Sequence, residues 1–125
     1  MALALWCVLA AGFLPYVMTA IAKSGGNVDN RAPRESAERY EGYRKRAHAA
    51  QLNGFEAFPL FAAAVIIAEM KGAPHHALNI LAAGFVAARI LYSGAYVADL
   101  PSLRSLVWGV GFVLVLAIFC LPLWR

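Results

Sequence analysis

Eight residues of this chain have the types and spacing to hold and activate a small polar ligand. Arg46, Asn53 and Glu56 lie in one stretch, Arg89, Tyr92 and Tyr96 in a second, and Arg104 and Ser105 open a third. On a helix, Arg46, Asn53 and Glu56 share one face within an arc of roughly 80°. Arg89, Tyr92 and Tyr96 recur at helical spacing and form a polar strip on another. Arginines grip carboxylates bidentately, Glu56 can take an ammonium group, and a cation beside a thiol favours the thiolate. A small zwitterionic peptide bearing a thiol would use all of these groups.

The elements that must position them are membrane helices. Hydrophobic residues make up 62% of the 125-residue chain and charged ones 14%, a balance far from that of a soluble domain. The apolar residues come in blocks able to cross a bilayer, which takes about 20 helical residues. The expected spans are 2–22, 44–70, 74–98 and 102–124, with a loop at 23–43. Together they predict an all-α, four-helix integral membrane bundle of up-down-up-down topology, one transmembrane domain in all. The first span has no Lys or Arg before it and exceeds a signal-peptide core, so it reads as a helix that stays. Pro15 and Pro59 are tolerated inside spans because packed neighbours satisfy the freed backbone groups. Asp99, Pro101 and Ser102 spell a tight turn followed by a helix start. The loop, rich in Gly, Asn, Arg and Glu, has room for a helical turn or two after Pro33.

Depth sharpens the reading of the polar residues. Glu56 is roughly 15 Å along its helix from Arg46, and Arg89 roughly 14 Å from the nearer end of its own. A charge that deep costs about 3 kcal/mol, so it should face the bundle and find a partner. With the two spans antiparallel, Glu56 and Arg89 arrive at similar depth and are expected to pair. Such a pair could also serve only to set helix register, and Tyr92 and Tyr96 could belong to an interfacial aromatic belt. Arg104 sits in a helix's first turn, against the dipole, which hints at a role beyond structure.

The net charge of +4 reflects topology rather than nucleic-acid binding. Lys23, Arg31, Arg34, Arg39, Arg44, Lys45 and Arg46 crowd the first loop, and Arg104 follows the third. The opposite side has Lys71 and Arg125. The positive-inside rule then puts both termini outside and the first loop in the cytoplasm, with Arg44 and Lys45 as topology anchors. Cys7 and Cys120 lie in apolar stretches and read as small buried hydrophobes. His48, His75 and His76 lack metal-ligand spacing, and no metal site is expected.

The run Arg46-Ala47-His48, then Asn53, Glu56 and Pro59, resembles the second-helix signature of the membrane-associated proteins in eicosanoid and glutathione metabolism, the MAPEG family. Asp29-Asn30-Arg31 and Pro33-Arg34 are similar to the loop of its bacterial members, and Arg89, Tyr92, Tyr96 and Arg104-Ser105 resemble the rest of its site. The resemblance implies a homotrimer in the bacterial inner membrane, with glutathione as co-substrate bound between subunits. It implies that Arg46, Asn53, Glu56, Arg89, Tyr92 and Tyr96 contact glutathione, and that Arg104 and Ser105 stabilise its thiolate. The expected activity is a transferase or peroxidase acting on hydrophobic electrophiles arriving from the lipid bilayer. Leu52 and Gly54 flank Asn53 where eukaryotic members often have Arg and Asp, and Trp108 stands where several have Tyr. These differences weigh against prostaglandin or leukotriene synthesis.

Two other classes fit the composition. A small proton-coupled multidrug exporter would use Glu56 as its membrane carboxylate, although such exporters keep theirs in the first helix. A non-catalytic membrane protein of the same fold would keep the architecture without the chemistry.

Overall fold

The computed structural model describes residues 1–124. Arg125, counted above toward the charge of one side, lies outside them. Five α-helices follow in order: α1 Leu3–Lys23, α2 Pro33–Glu38, α3 Tyr43–Met70, α4 His75–Val97 and α5 Pro101–Cys120, with a 3-10 turn over Leu121–Trp124. Among the described residues there is no strand. Four of the helices are long and apolar enough to cross a membrane. Their outward faces carry large apolar side chains such as Phe13, Leu60, Ile80, Ile90, Leu106 and Val113. In water such a surface would be unstable; in hydrocarbon it is the compatible one.

Small residues set how closely the helices approach. Gly12 of α1 lies against the Phe58 ring of α3, and a Cβ at Gly54 would come within 2.8 Å of Pro15 Cγ. Pro15 is fully buried, so α1 presses its proline ring into the space that a missing side chain leaves on α3. Thr19 Oγ donates to the Pro15 carbonyl at 3.0 Å, adding a bond within the proline-bearing turn of α1. Further along, Phe61 of α3 stacks on Phe85 of α4 with centroids 4.0 Å apart. Val65, Leu78 and Ile118 complete this core, with Ala4, Ala11, Ala64, Ala68 and Ala82 between them. Alanine at so many contact positions lets backbones come close, as membrane helices require.

The helix ends are closed by identifiable groups. The Ala4 N–H donates to Asn79 Oδ1 of α4 at 3.0 Å, one of the donors that a helix start leaves without an internal partner. After α3, Gly72 takes φ 73°, and the Ala73 N–H returns to the Ala68 carbonyl at 3.0 Å. After α4, Asp99 takes the left-handed φ of 61° while the Leu100 N–H bonds the Ala95 carbonyl at 2.8 Å. Pro101 then starts α5, where its fixed φ suits a first helical position.

The polar segment between α1 and α3 is ordered by its own side chains. The Asp29 N–H donates to Ser36 Oγ at 3.0 Å and the Arg31 N–H to Asp29 Oδ1 at 2.9 Å. Arg44, expected only as a topology anchor, has a structural task. Its Nε donates to the Ala22 carbonyl at 2.7 Å and its Nη2 to the Gly26 carbonyl at 2.6 Å. A cation on a last-turn carbonyl of α1 and on the turn just beyond it meets unpaired acceptors and the negative end of the helix dipole.

Candidate functional site

A continuous polar strip joins α3, α4 and α5. Its centre is Arg89, 5% exposed. The Arg89 Nη2 donates to Asn53 Oδ1 on α3 at 2.8 Å, and its guanidinium lies over the Tyr92 ring, 4.1 Å from the centroid. Tyr92 meets Tyr96 edge-to-face at 5.7 Å, and the Arg104 guanidinium of α5 covers the Tyr96 ring at 4.4 Å. The spacing 89, 92, 96 puts the three α4 groups one above another on one face. Cation–π contacts then continue the strip where no hydrogen bond does.

Beside Arg89 a cavity of about 190 Å³ opens between α3, α4 and α5. Asn53, Glu56 and Arg89 supply its polar part, and Leu60, Phe85, Trp108, Phe112 and Val115 its apolar wall. Trp108 and Phe112 stack in parallel at 5.5 Å, forming one flat apolar side. A cavity with a charged corner and an aromatic wall suits an amphipathic ligand, or a polar ligand and an apolar one side by side.

The expected Glu56–Arg89 ion pair is not formed. Among the described residues the one ion pair is His75 Nε2 with Glu69 Oε2 at 3.8 Å, on the α3–α4 turn. The Asn53 amide, almost a full turn before Glu56, takes the Arg89 guanidinium instead. Glu56 is exposed on the outer side of α3 at the cavity edge. Equal depth brought the two side chains to one cavity, but rotation about the α3 axis decided which of them Arg89 meets.

Other expected residues take separate places. Arg46 is half-buried and its Nε donates to the Val97 carbonyl at 3.0 Å, closing the end of α4 rather than lining the cavity. Ser105 is exposed and lines a shallow outer groove with Leu106, Gly109 and Val110. Neighbours on a helix point about 100° apart, so Arg104 turns inward to Tyr96 while Ser105 does not. Sequence reasoning missed the cavity wall. Phe85, Phe112 and Val115 look like any other apolar span residues, and only the closure of three helices gives them a common space. Gly54, beside Asn53, is explained by Pro15, which occupies the side-chain position.

Fold and site together define a class: an integral membrane protein of four long helices with a polar site buried among them. A family model described as the MAPEG family matches residues 3–124, and the chain belongs to that family. The family includes glutathione transferases and peroxidases. No curated protein and no solved structure matches the chain significantly.

Proposed function

We propose that this protein is a membrane-bound, glutathione-dependent transferase or peroxidase acting on hydrophobic electrophiles. The observation that carries the reading is the strip Asn53–Arg89–Tyr92–Tyr96–Arg104 running beside an aromatic-walled cavity with Glu56 at its edge. Glutathione has two carboxylates, an ammonium and a thiol. Arg89 is the cation for a carboxylate at the cavity, Glu56 the partner for its ammonium, and Asn53, Tyr92 and Tyr96 the hydrogen-bonding frame, while Arg46 stays on the Val97 carbonyl. Glu56 is exposed on a membrane-spanning helix without an ion-pair partner among the described residues, a costly arrangement for an isolated subunit. A ligand and a second subunit covering that face would remove the cost, which supports a homotrimer with glutathione between neighbours.

In this reading the helices run up-down-up-down, with α1 meeting α3 through Gly12–Phe58, Gly54–Pro15 and Ala22–Arg44, pairs whose numbers rise on one helix as they fall on the other. Both termini lie outside and the segment 23–43 in the cytoplasm. Arg104 holds the sulfur as thiolate by charge, and Ser105 donates a hydrogen bond at the subunit boundary its groove faces. In conjugation, the thiolate forms a carbon–sulfur bond as the electrophile's leaving group departs with its electron pair. Leu60, Phe85, Trp108 and Phe112 seat the apolar substrate.

The test is glutathione binding by the detergent-purified protein. A ligand specific to the folded state raises the melting temperature, and Glu56→Gln and Arg89→Ala should abolish that rise. Arg104→Ala should keep it yet lose about 100-fold or more in turnover of a generic electrophile, the scale for removing a group that stabilises developing charge. Absence of any shift in the unmodified protein would sink the proposal. The unpaired Glu56 favours one second reading, the proton-coupled exporter. Efflux lost in Glu56→Gln and indifferent to glutathione would select it.

A further inference from the structure

An α-helix ends with four backbone carbonyls that have no partner inside it, and α4 finds an acceptor bond for each of its own. The Ala98 N–H returns to the Gly94 carbonyl at 2.9 Å, the Leu100 N–H to Ala95 at 2.8 Å and the Asp99 N–H to Tyr96 at 3.1 Å. The last carbonyl, Val97, takes the Arg46 Nε of α3 at 3.0 Å. Both residues are half-buried, so water competes poorly for that bond. Arg46 belongs to the first turn of α3, where a cation opposes its own helix dipole; the C-terminal end of α4 is where it is favoured. Arg44, two residues earlier, does the same for α1 at the Ala22 carbonyl. Residues two apart on a helix point roughly 200° apart, so the two arginines clasp different neighbours.

What the Arg46 clasp holds is the turn into α5. Val97 follows Tyr96, whose ring the Arg104 guanidinium covers at 4.4 Å. Between them the chain passes through Asp99, a non-glycine residue at φ 61°. Such a conformation persists where the surrounding contacts over-determine it. The three turn amides and Arg46 are those contacts, and the Arg104 N–H itself returns to the Leu100 carbonyl at 2.9 Å. Tyr96 and Val97 also pack on the apolar cluster containing Ala47 and Ala50. Apolar contact is non-directional; the Arg46 bond is what fixes the angle at which α4 ends.

We propose that Arg46 is a positioning residue for the thiolate: by closing α4 at Val97 it fixes the turn that holds Arg104 over Tyr96. It does not line the Arg89 cavity, so it acts through Arg104 and not by touching the ligand. Arg104 has its role only if the glutathione reading above holds, and the experiment keeps the two questions apart.

The full-length protein in detergent is measured for glutathione affinity, for ultraviolet absorbance of the bound thiolate against pH, and for amide exchange over residues 98–104. Arg46→Met, similar in reach but without a donor, should leave KM for glutathione within about twofold. Its thiolate should form at higher pH, because Arg104 no longer sits where its charge favours that form. A displacement of about one pH unit cuts the thiolate at neutral pH, and kcat with it, about tenfold. Exchange over 98–104 should quicken as the end of α4 opens locally. Arg46→Lys keeps a charged donor without the guanidinium geometry. It should recover most of both effects and, where Arg46→Met does not fold, show a smaller displacement in the same direction. Arg44→Met loses the same charge at the end of α1; it should lower the melting temperature and leave the thiolate profile in place. Glu56, Arg89, Tyr92, Tyr96 and Asp99 are the other charged or titratable groups of the strip and its turn, and each variant retains them all.

A raised KM with an unmoved thiolate profile would make Arg46 a ligand contact. Lower stability with an unmoved profile would make it only a helix clasp. An equal displacement in Arg44→Met would trace to charge alone. Each of these overturns the proposal, as does unchanged exchange over 98–104. An unmodified protein that neither binds glutathione nor forms a thiolate sinks the parent reading first, whereas the exchange data still report whether Arg46 holds the turn.

Discussion

The interface between α3 and α4 has two halves built on opposite principles. In one, Phe61 stacks on Phe85 with Val65 and Leu78 around them, all buried and with no polar side chain needed. In the other, Asn53 holds a buried arginine by a single hydrogen bond, and a cavity remains beside it. Burying Arg89 costs desolvation that one amide and one tyrosine face repay only in part. A helix pair already secured by the aromatic half can tolerate that cost. The comparison teaches where rigidity and function divide: dry aromatic packing sets the helix spacing, and the polar half uses that spacing to hold unpaired capacity.

Breaking the aromatic half should have the largest effect on stability. Phe61→Ala removes a fully buried ring and is expected to cost about 3–5 kcal/mol, read as a lower unfolding midpoint in detergent. The increment added by saturating glutathione should survive in whatever fraction stays folded. If the increment disappears while the fold persists, the two halves are not separable.

Asn53→Ala should cost less, about 1.5–3 kcal/mol, because a charged donor loses its partner while the cavity lets water or ligand replace it. The glutathione-dependent rise in melting temperature should shrink with it. An Asn53→Ala protein of unchanged stability that binds as before would show that Arg89 does not depend on Asn53. The smallest expected effect tests the spacing itself. Gly54→Ala places a methyl 2.8 Å from Pro15 Cγ, and such overpacking costs about 1–3 kcal/mol. Turnover should fall further than stability alone predicts if α3 must rotate, because Asn53 and Glu56 would turn with it.

Much of this was legible in one dimension. Apolar blocks with their Gly, Pro and Asp punctuation mark the long helices, since a membrane-spanning helix must be predominantly apolar. The expected short helix after Pro33 is α2. The 89, 92, 96 spacing foretold a strip on α4, because helical period alone places those side chains on one face. Less legible were the groups whose role depends on another element. Asn79 capping α1, Arg44 closing the end of α1 and Arg46 closing the end of α4 carry no local signal. Each is an ordinary residue until a distant backbone is brought to it.

By itself, then, the sequence determined that the chain is helical, suited to a bilayer and furnished with polar groups spaced to share helix faces. Those are consequences of hydropathy and of a period internal to each helix. Only the tertiary structure decided that Arg89 takes Asn53 and leaves Glu56 open, that Ser105 turns from Arg104's side, and that Arg46 closes α4 at Val97. A helical wheel fixes angles about one axis. Which angles face each other depends on the rotation and offset of a second axis, and here Pro15 against Gly54 and Phe61 against Phe85 set them.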